Sequence, residues 1–102
     1  MSAVSFTISY ESTEMIISFI KFILENTRDN MNIPECDERL SKIEDEMKKY
    51  ENKACDVVIE LCQKLRTIPR KTYMHGKTVA KTMTKFINAV NEVVSDEVFN
   101  SV

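Results

Sequence analysis

Residues 33–68 read IPECDERLSKIEDEMKKYENKACDVVIELCQKLRTI, and this stretch decides the fold. Apolar side chains recur in it at every third or fourth position, and no glycine or proline follows Pro34. Such spacing predicts a narrow apolar stripe along one face of a single long helix, the seam of a coiled coil or an extended bundle. The stripe consists of Ile33, Cys36, Leu40, Ile43, Met47, Tyr50, Ala54, Val57, Leu61, Leu65 and Ile68.

The flanking prolines set the predicted bounds of this long helix at residues 34–68. Pro34 suits the first turn of a helix, where the missing N–H costs nothing, and Pro69 cannot continue a helix. At 1.5 Å per residue the helix would be roughly 50 Å long, which exceeds what a compact domain of 102 residues needs. We therefore expect other helices, or another copy of the chain, to cover part of it.

The remaining segments predict two shorter helices and a leader. A first helix is expected over residues 13–28, capped by Ser12 or Thr13, and a last helix over residues 77–98. The leader, residues 1–11, alternates apolar and polar positions from Val4 to Tyr10, which predicts either a β-strand or a flexible or helical segment. The fold class is thus all-α, a single domain over residues 1–102 with three helices in the order short, long, medium.

The first predicted helix is apolar on about three of its sides, which one neighbouring helix cannot cover. An exposed apolar surface of that size is typical of an interface, and a homodimer is the simplest arrangement that buries it. The candidate dimer-interface residues are Phe6, Ile8, Ile16, Phe19, Ile20, Ile23, Leu40, Ile43 and Met47.

The three cysteines, Cys36, Cys55 and Cys62, lie at helical positions and do not form a short Cys-x-x-Cys pair. An odd number at such spacing is a poor disulfide or zinc framework, so we expect reduced core thiols, no metal or cofactor, and a cytoplasmic setting. The longest apolar run, residues 15–24, is about half the length that a membrane-spanning helix needs. Membrane insertion is therefore not expected.

Charge is divided unevenly along the chain. The first 60 residues contain 13 acidic and 7 basic side chains, whereas residues 61–91 contain seven basic side chains and no acid. A cluster of this kind indicates either phosphate or acidic-partner binding, or a solvated face without a ligand. The candidate anion-binding or partner-binding residues are Lys64, Arg66, Arg70, Lys71, Lys77, Lys81 and Lys85.

The chain has no motif that indicates catalysis. Residues 75–78, His-Gly-Lys-Thr, resemble the end of a phosphate-binding loop, but Lys71 stands where that loop needs glycine. We therefore predict a non-enzymatic interaction or regulatory protein, an adaptor or inhibitor that self-associates and binds a protein partner. The alternative is a nucleic-acid-binding regulatory protein that uses residues 64–85. Abundant Ile, Lys and Asn with few Ala, Gly and Pro suggest AT-rich codons, as in some viral and microbial genomes.

Overall fold

The computed structural model describes residues 6–25, 33–68 and 77–94, and these residues form helices without any β-strand. The predicted all-α class is confirmed. Within the described residues the helices number four rather than three: α1, Tyr10–Glu25; α2, Ile33–Lys48; α3, Lys53–Thr67; and α4, Lys77–Asn91.

The predicted long helix over residues 34–68 is wrong, because the chain breaks between Lys48 and Lys53. Glu51 has a positive φ of 48°, a left-handed conformation that no α-helix interior contains. The side chain of Asn52 then accepts a hydrogen bond of 2.8 Å from the backbone N–H of Ala54 and caps α3. A connection of four residues folds α3 back along α2 as an antiparallel hairpin.

The hairpin forms because each half of the stripe buries the other half. One extended helix would leave its apolar stripe in water, whereas two antiparallel helices remove both stripes from solvent within a single chain. The buried apolar residues of α2 and α3 belong to one continuous core that also includes α1 and α4. From the hairpin these are Cys36, Leu40, Ile43, Met47, Cys55, Val58, Leu61, Cys62 and Leu65.

Helix α1 starts earlier than the sequence predicts, at Tyr10 instead of residue 13. Ser9 caps it, because the Ser9 hydroxyl accepts a hydrogen bond of 3.1 Å from the Ser12 N–H. Ser12 and Thr13, which were the predicted caps, are buried in the first turns of the helix. The helix is described as far as Glu25, so the end predicted at residue 28 lies outside the described residues.

The leader contains no strand within the residues that the structure describes. Residues 6–9 are irregular and lie across the end of the bundle, where the Ile8 N–H donates a 2.8 Å hydrogen bond to the carbonyl of Val93. The ring of Phe6 meets the edge of Tyr50 with centroids 5.7 Å apart. The hydrogen bond and the ring contact hold the segment against the bundle, so it needs no neighbouring strand. Val4 lies outside the described residues.

Helix α4 closes the bundle against α3 and α1. The ring of Phe86 on α4 is fully buried. It packs at nearly a right angle to the ring of Phe19 on α1, with ring centroids 5.8 Å apart. Helical hydrogen bonding gives way to a turn after Asn91, and the last part of the predicted range 77–98 lies beyond the described residues.

The candidate dimer-interface residues are mostly inside this single chain. Phe19, for example, is 1% exposed and Leu40 is fully buried. These residues need no second copy to cover them, since the hairpin and α4 bury them within one chain, and a homodimer stays a prediction. Buried in the same core are Ile8, Ile16, Ile23, Ile43 and Met47, and Phe6 and Ile20 are partly buried against it.

Of the helices that the structure describes, none combines the length and apolar character needed to cross a membrane.

Candidate functional site

A shallow groove of about 480 Å³ runs along the outer surface between α3 and α4. Its apolar residues are Val57 and Leu61 from α3 and Ala89 from α4. Val57 is the most accessible of them, at 50% exposure, while Leu61 and Ala89 are almost buried. The groove thus combines an apolar base with one projecting β-branched side chain.

The hairpin turn explains why Val57 is on the surface. Ala54 and Val57 continue the spacing of the stripe on α2 and would be inward-facing in one continuous helix. The break at Glu51 and Asn52 means that α3 does not continue the rotation of α2. Cys55 and Val58 therefore face the core from α3. Of the later stripe residues, Ala54, Val57 and Leu61 line the surface between α3 and α4, whereas Leu65 stays in the core.

Four charged side chains surround this apolar base: Glu60 and Lys64 from α3, and Lys85 and Glu92 from α4. None of the four forms an ion pair with another residue in the described part of the chain. The amide of Asn88 completes the lining. Exposed lysines and glutamates beside an apolar surface leave their charges available to a molecule that binds there.

The two ends of the groove carry opposite charge. At one end a hollow of about 200 Å³ is lined by Ala54, Val57, Ala89 and Glu92, so the start of α3 lies beside the end of α4. Lys64 follows Val57 by seven residues, or about 10 Å of helix. Lys85 precedes Glu92 by the same interval on antiparallel α4, so both lysines lie at the end opposite Glu92.

Arg66, a predicted anion-binding residue, is already occupied within the fold. Its guanidinium donates two hydrogen bonds, of 2.6 and 3.0 Å, to the two carboxylate oxygens of Glu44 on α2. The Glu44 side chain is only 5% exposed, and its hydrogen bonds raise the pKa of Arg66 further above the ordinary value. A bidentate pair of this kind ties α3 to α2 and leaves Arg66 little capacity for a ligand.

The structure brings two of the seven predicted basic residues together in the groove, Lys64 and Lys85. Lys81 is exposed on α4 one turn before Lys85, but it does not line the groove. Arg70 and Lys71 lie outside the described residues, as does the side chain of Lys77. Of the basic residues whose side chains the structure describes, Arg66 is in a structural ion pair, Lys64 and Lys85 line the groove, and Lys81 is exposed outside it.

A polar cluster at the end of the bundle was not anticipated from the sequence. The Ser12 hydroxyl donates a 2.6 Å hydrogen bond to the carboxylate of Glu46 and lies 2.8 Å from the Tyr50 hydroxyl. Tyr50 also accepts a 2.9 Å hydrogen bond from the N–H of Ser9. The hydrogen bonds from Ser12 and from Lys49 lower the pKa of Glu46. The periodicity of the sequence cannot reveal such a cluster, since Ser9 and Ser12 lie more than 30 residues before Glu46 and Tyr50.

This cluster resembles a catalytic arrangement only in its residue types. Ser12 is fully buried and donates its proton to an acceptor that is ionised near neutral pH, and no histidine among the described residues could serve as its base. Its members hold the leader, α1 and the end of α2 together. The cluster therefore stabilises the contact between these three segments.

The cysteines do not form a reactive or metal-binding centre in the described residues. None of the three is in a disulfide and all are buried, as the sequence predicts, and burial raises the pKa of Cys55 and of Cys62. A thiol with a raised pKa is a poor nucleophile at neutral pH. Nor does any group of three or more metal-binding side chains occur within residues 6–25, 33–68 and 77–94.

A second groove, of about 280 Å³, lies between α1 and α2 and is lined in part by Met15, Glu35 and Arg39. Arg39 fills this region by its own contacts, because it bonds to Glu35 at 3.0 Å and covers the ring of Phe22 at 4.3 Å. Its charge and its planar face are both engaged, so this groove offers less to a partner than the groove between α3 and α4.

Comparisons with known protein families, with curated proteins and with solved structures give no match to this chain. The site must therefore be judged from its own geometry.

Proposed function

We propose that this chain is a non-enzymatic interaction protein, an adaptor or inhibitor, which binds an amphipathic helix of a partner protein in the groove between α3 and α4. The observation that supports this proposal is the half-exposed Val57 on an apolar base bordered by four charged side chains, none of which is in an ion pair with another described residue. Helix-in-groove recognition uses this combination of an apolar contact and a charged rim.

Charge favours a protein partner over nucleic acid in this groove. Glu60 and Glu92 line it together with Lys64 and Lys85, so its formal charge is balanced, and phosphates would meet two carboxylates. Arg66 is engaged by Glu44. Nucleic-acid binding by residues 64–85 stays a prediction, and it now depends on side chains outside this groove.

The length of the groove sets the size of the partner segment. Ten residues separate Ala54 from Lys64, which corresponds to about 15 Å along α3. A partner helix of about three turns covers that distance. Such a segment contacts Val57 near the Glu92 end of the groove and reaches the two lysines at the other end.

The test uses a fluorescent 12-residue peptide that is locked into a helix by a side-chain cross-link and carries leucines along one face. Cross-linking removes most of the ordering cost of so short a helix. We expect the wild type to bind the peptide and Val57→Asp to weaken binding at least about tenfold, because a carboxylate would be buried against leucine. Fluorescence anisotropy measures both affinities.

The matched control is Leu24→Asp, which introduces the same charge at a residue on α1 that is 67% exposed and does not line the groove. It should bind the peptide as the wild type does. Equal binding by Val57→Asp and the wild type, or no binding by the wild type at millimolar peptide, would contradict the proposal.

A further inference from the structure

We infer that two copies of this chain pair through the same groove in an antiparallel, twofold-symmetric arrangement, so that self-association and partner binding exclude each other. The inference refines the proposed function by naming a second occupant of the groove and a form of regulation. It depends on two properties of the surface, the order of its charges and the shape of its apolar base.

The charges at the two ends of the groove are self-complementary. Glu92 lies at one end, Lys64 and Lys85 lie at the other, and Glu60 lies between them, one helical turn before Lys64. A twofold axis through the middle of the groove reverses this order, so Glu92 of each copy faces the two lysines of the other. Symmetric dimers require this property, because each patch must complement itself.

The apolar base has a projection and a hollow on the same surface. Val57 projects at 50% exposure, and the adjacent hollow is lined by the small side chains of Ala54 and Ala89. The twofold axis places the lysines of the facing copy over this hollow, where the aliphatic part of a lysine side chain can pack between the small residues while its ammonium group approaches Glu92. Helices α3 and α4 of two copies would then form a four-helix layer across the axis.

This interface differs from the one that the sequence alone suggests. The earlier candidates, such as Phe19, Leu40 and Ile43, are enclosed in the core of one chain and cannot contact a second one. The groove instead uses residues that are exposed or line a hollow in the single chain. It offers a small apolar area with charged surroundings, which is typical of a weak and reversible association.

The first measurement is sedimentation equilibrium of the wild type between about 1 µM and 1 mM, where we expect a concentration-dependent equilibrium of monomer and dimer. Two charge-reversed variants follow, Lys64→Glu with Lys85→Glu, and Glu60→Lys with Glu92→Lys. Each alone places like charges opposite each other and should raise the dimer dissociation constant roughly tenfold or more. An equimolar mixture of the two variants should form a heterodimer.

The control variant reverses Lys21 and Lys48, two exposed lysines outside the groove, and thus has the same net charge as the first variant. It should dimerise as the wild type does. Circular dichroism establishes that all variants are folded, which the exposure of the substituted residues predicts. A wild type that is monomeric at 1 mM, or a mixture that gives no heterodimer, would overturn the inference.

The cross-linked peptide separates this inference from the proposed function. If both hold, saturating peptide converts the wild-type dimer to monomer. Peptide binding without any dimer contradicts only the inference. A charge-dependent dimer without peptide binding contradicts only the proposed function, because the groove would then accept a second copy and no foreign helix.

Discussion

Lys64 and Arg66 are two residues apart on α3, carry the same charge and have different roles. Arg66 points inward and holds the buried carboxylate of Glu44 with two hydrogen bonds. Lys64 points outward and lines the groove, where it has no ion-pair partner among the described residues. Residues two positions apart on a helix are separated by about 200°, so neighbouring cations in sequence face opposite sides.

The comparison shows that a cluster of basic residues in a sequence is not one functional surface. The bidentate pair with the buried Glu44 makes Arg66 a structural residue, whose removal leaves an uncompensated charge at Glu44. Exposure leaves Lys64 available for binding but makes it nearly irrelevant to stability. The following predictions test this difference, beginning with the largest effect.

Replacing Arg66 by Met should destabilise the fold by about 2 to 3 kcal/mol, because the Glu44 carboxylate would lose both of its guanidinium donors while remaining buried. Lys64→Met is the matched control on the same helix and should change the free energy of unfolding by less than about 0.5 kcal/mol. Urea denaturation of both variants measures the difference. Similar losses in the two would show that the ion pair contributes no more than a surface charge.

The turn between α2 and α3 decides which residues of α3 face inward. Substitutions in this turn should therefore change the stability of the protein. Asn52→Ala removes the side chain that caps α3 and should cost about 1 kcal/mol. Glu51→Gly should instead stabilise the protein by up to about 1 kcal/mol, because glycine adopts the positive φ of Glu51 without steric strain. Thermal unfolding should show shifts of opposite sign. Destabilisation by Glu51→Gly would contradict the assigned turn conformation.

The smallest effect concerns pH and the carboxylate of Glu46. Its pKa in the folded state is lowered from the ordinary 4.5, chiefly by the hydrogen bond from Ser12. A lowered pKa means that the unfolded chain binds the proton first, so this contribution is complete above about pH 4.5 and is lost as the pH falls through the folded-state value.

We expect the loss on acidification to be under about 1 kcal/mol, since the side chain of Glu46 is still partly exposed. Glu46→Gln lacks a titrating group at this position and serves as the comparison. The free energy of unfolding, measured between pH 6 and pH 3, should fall more steeply for the wild type than for Glu46→Gln. Parallel pH profiles would indicate that Ser12 does not favour the ionised form.

Several features of the fold follow from local sequence patterns. The lack of glycine and proline between Pro34 and Pro69 predicts helix, and the spacing of Leu40, Ile43 and Met47 predicts the inward face of α2, which the structure confirms. The helical positions of the cysteines also predict their burial. These features depend on residues within a few turns of one another, where periodicity is informative.

Only part of the candidate site could be predicted from the sequence. The run of basic residues pointed to Lys64 and Lys85, but nothing in their spacing separates them from Arg66. The contribution of Val57 was missed because its spacing assigns it to the core. A signal was present at Asn52, a residue that favours helix N-caps and is followed by an acid in the next turn at Asp56.

The sequence by itself determined that this chain is helical and which side of α2 is apolar. The tertiary structure alone decided that residues 33–68 form two helices, that α3 presents Val57 to the surface, and that Arg66 faces Glu44. A period of three to four residues is compatible with one long helix or with two short ones. The choice depends on the free energy gained when distant apolar faces bury each other, which outweighs the cost of a left-handed residue at Glu51.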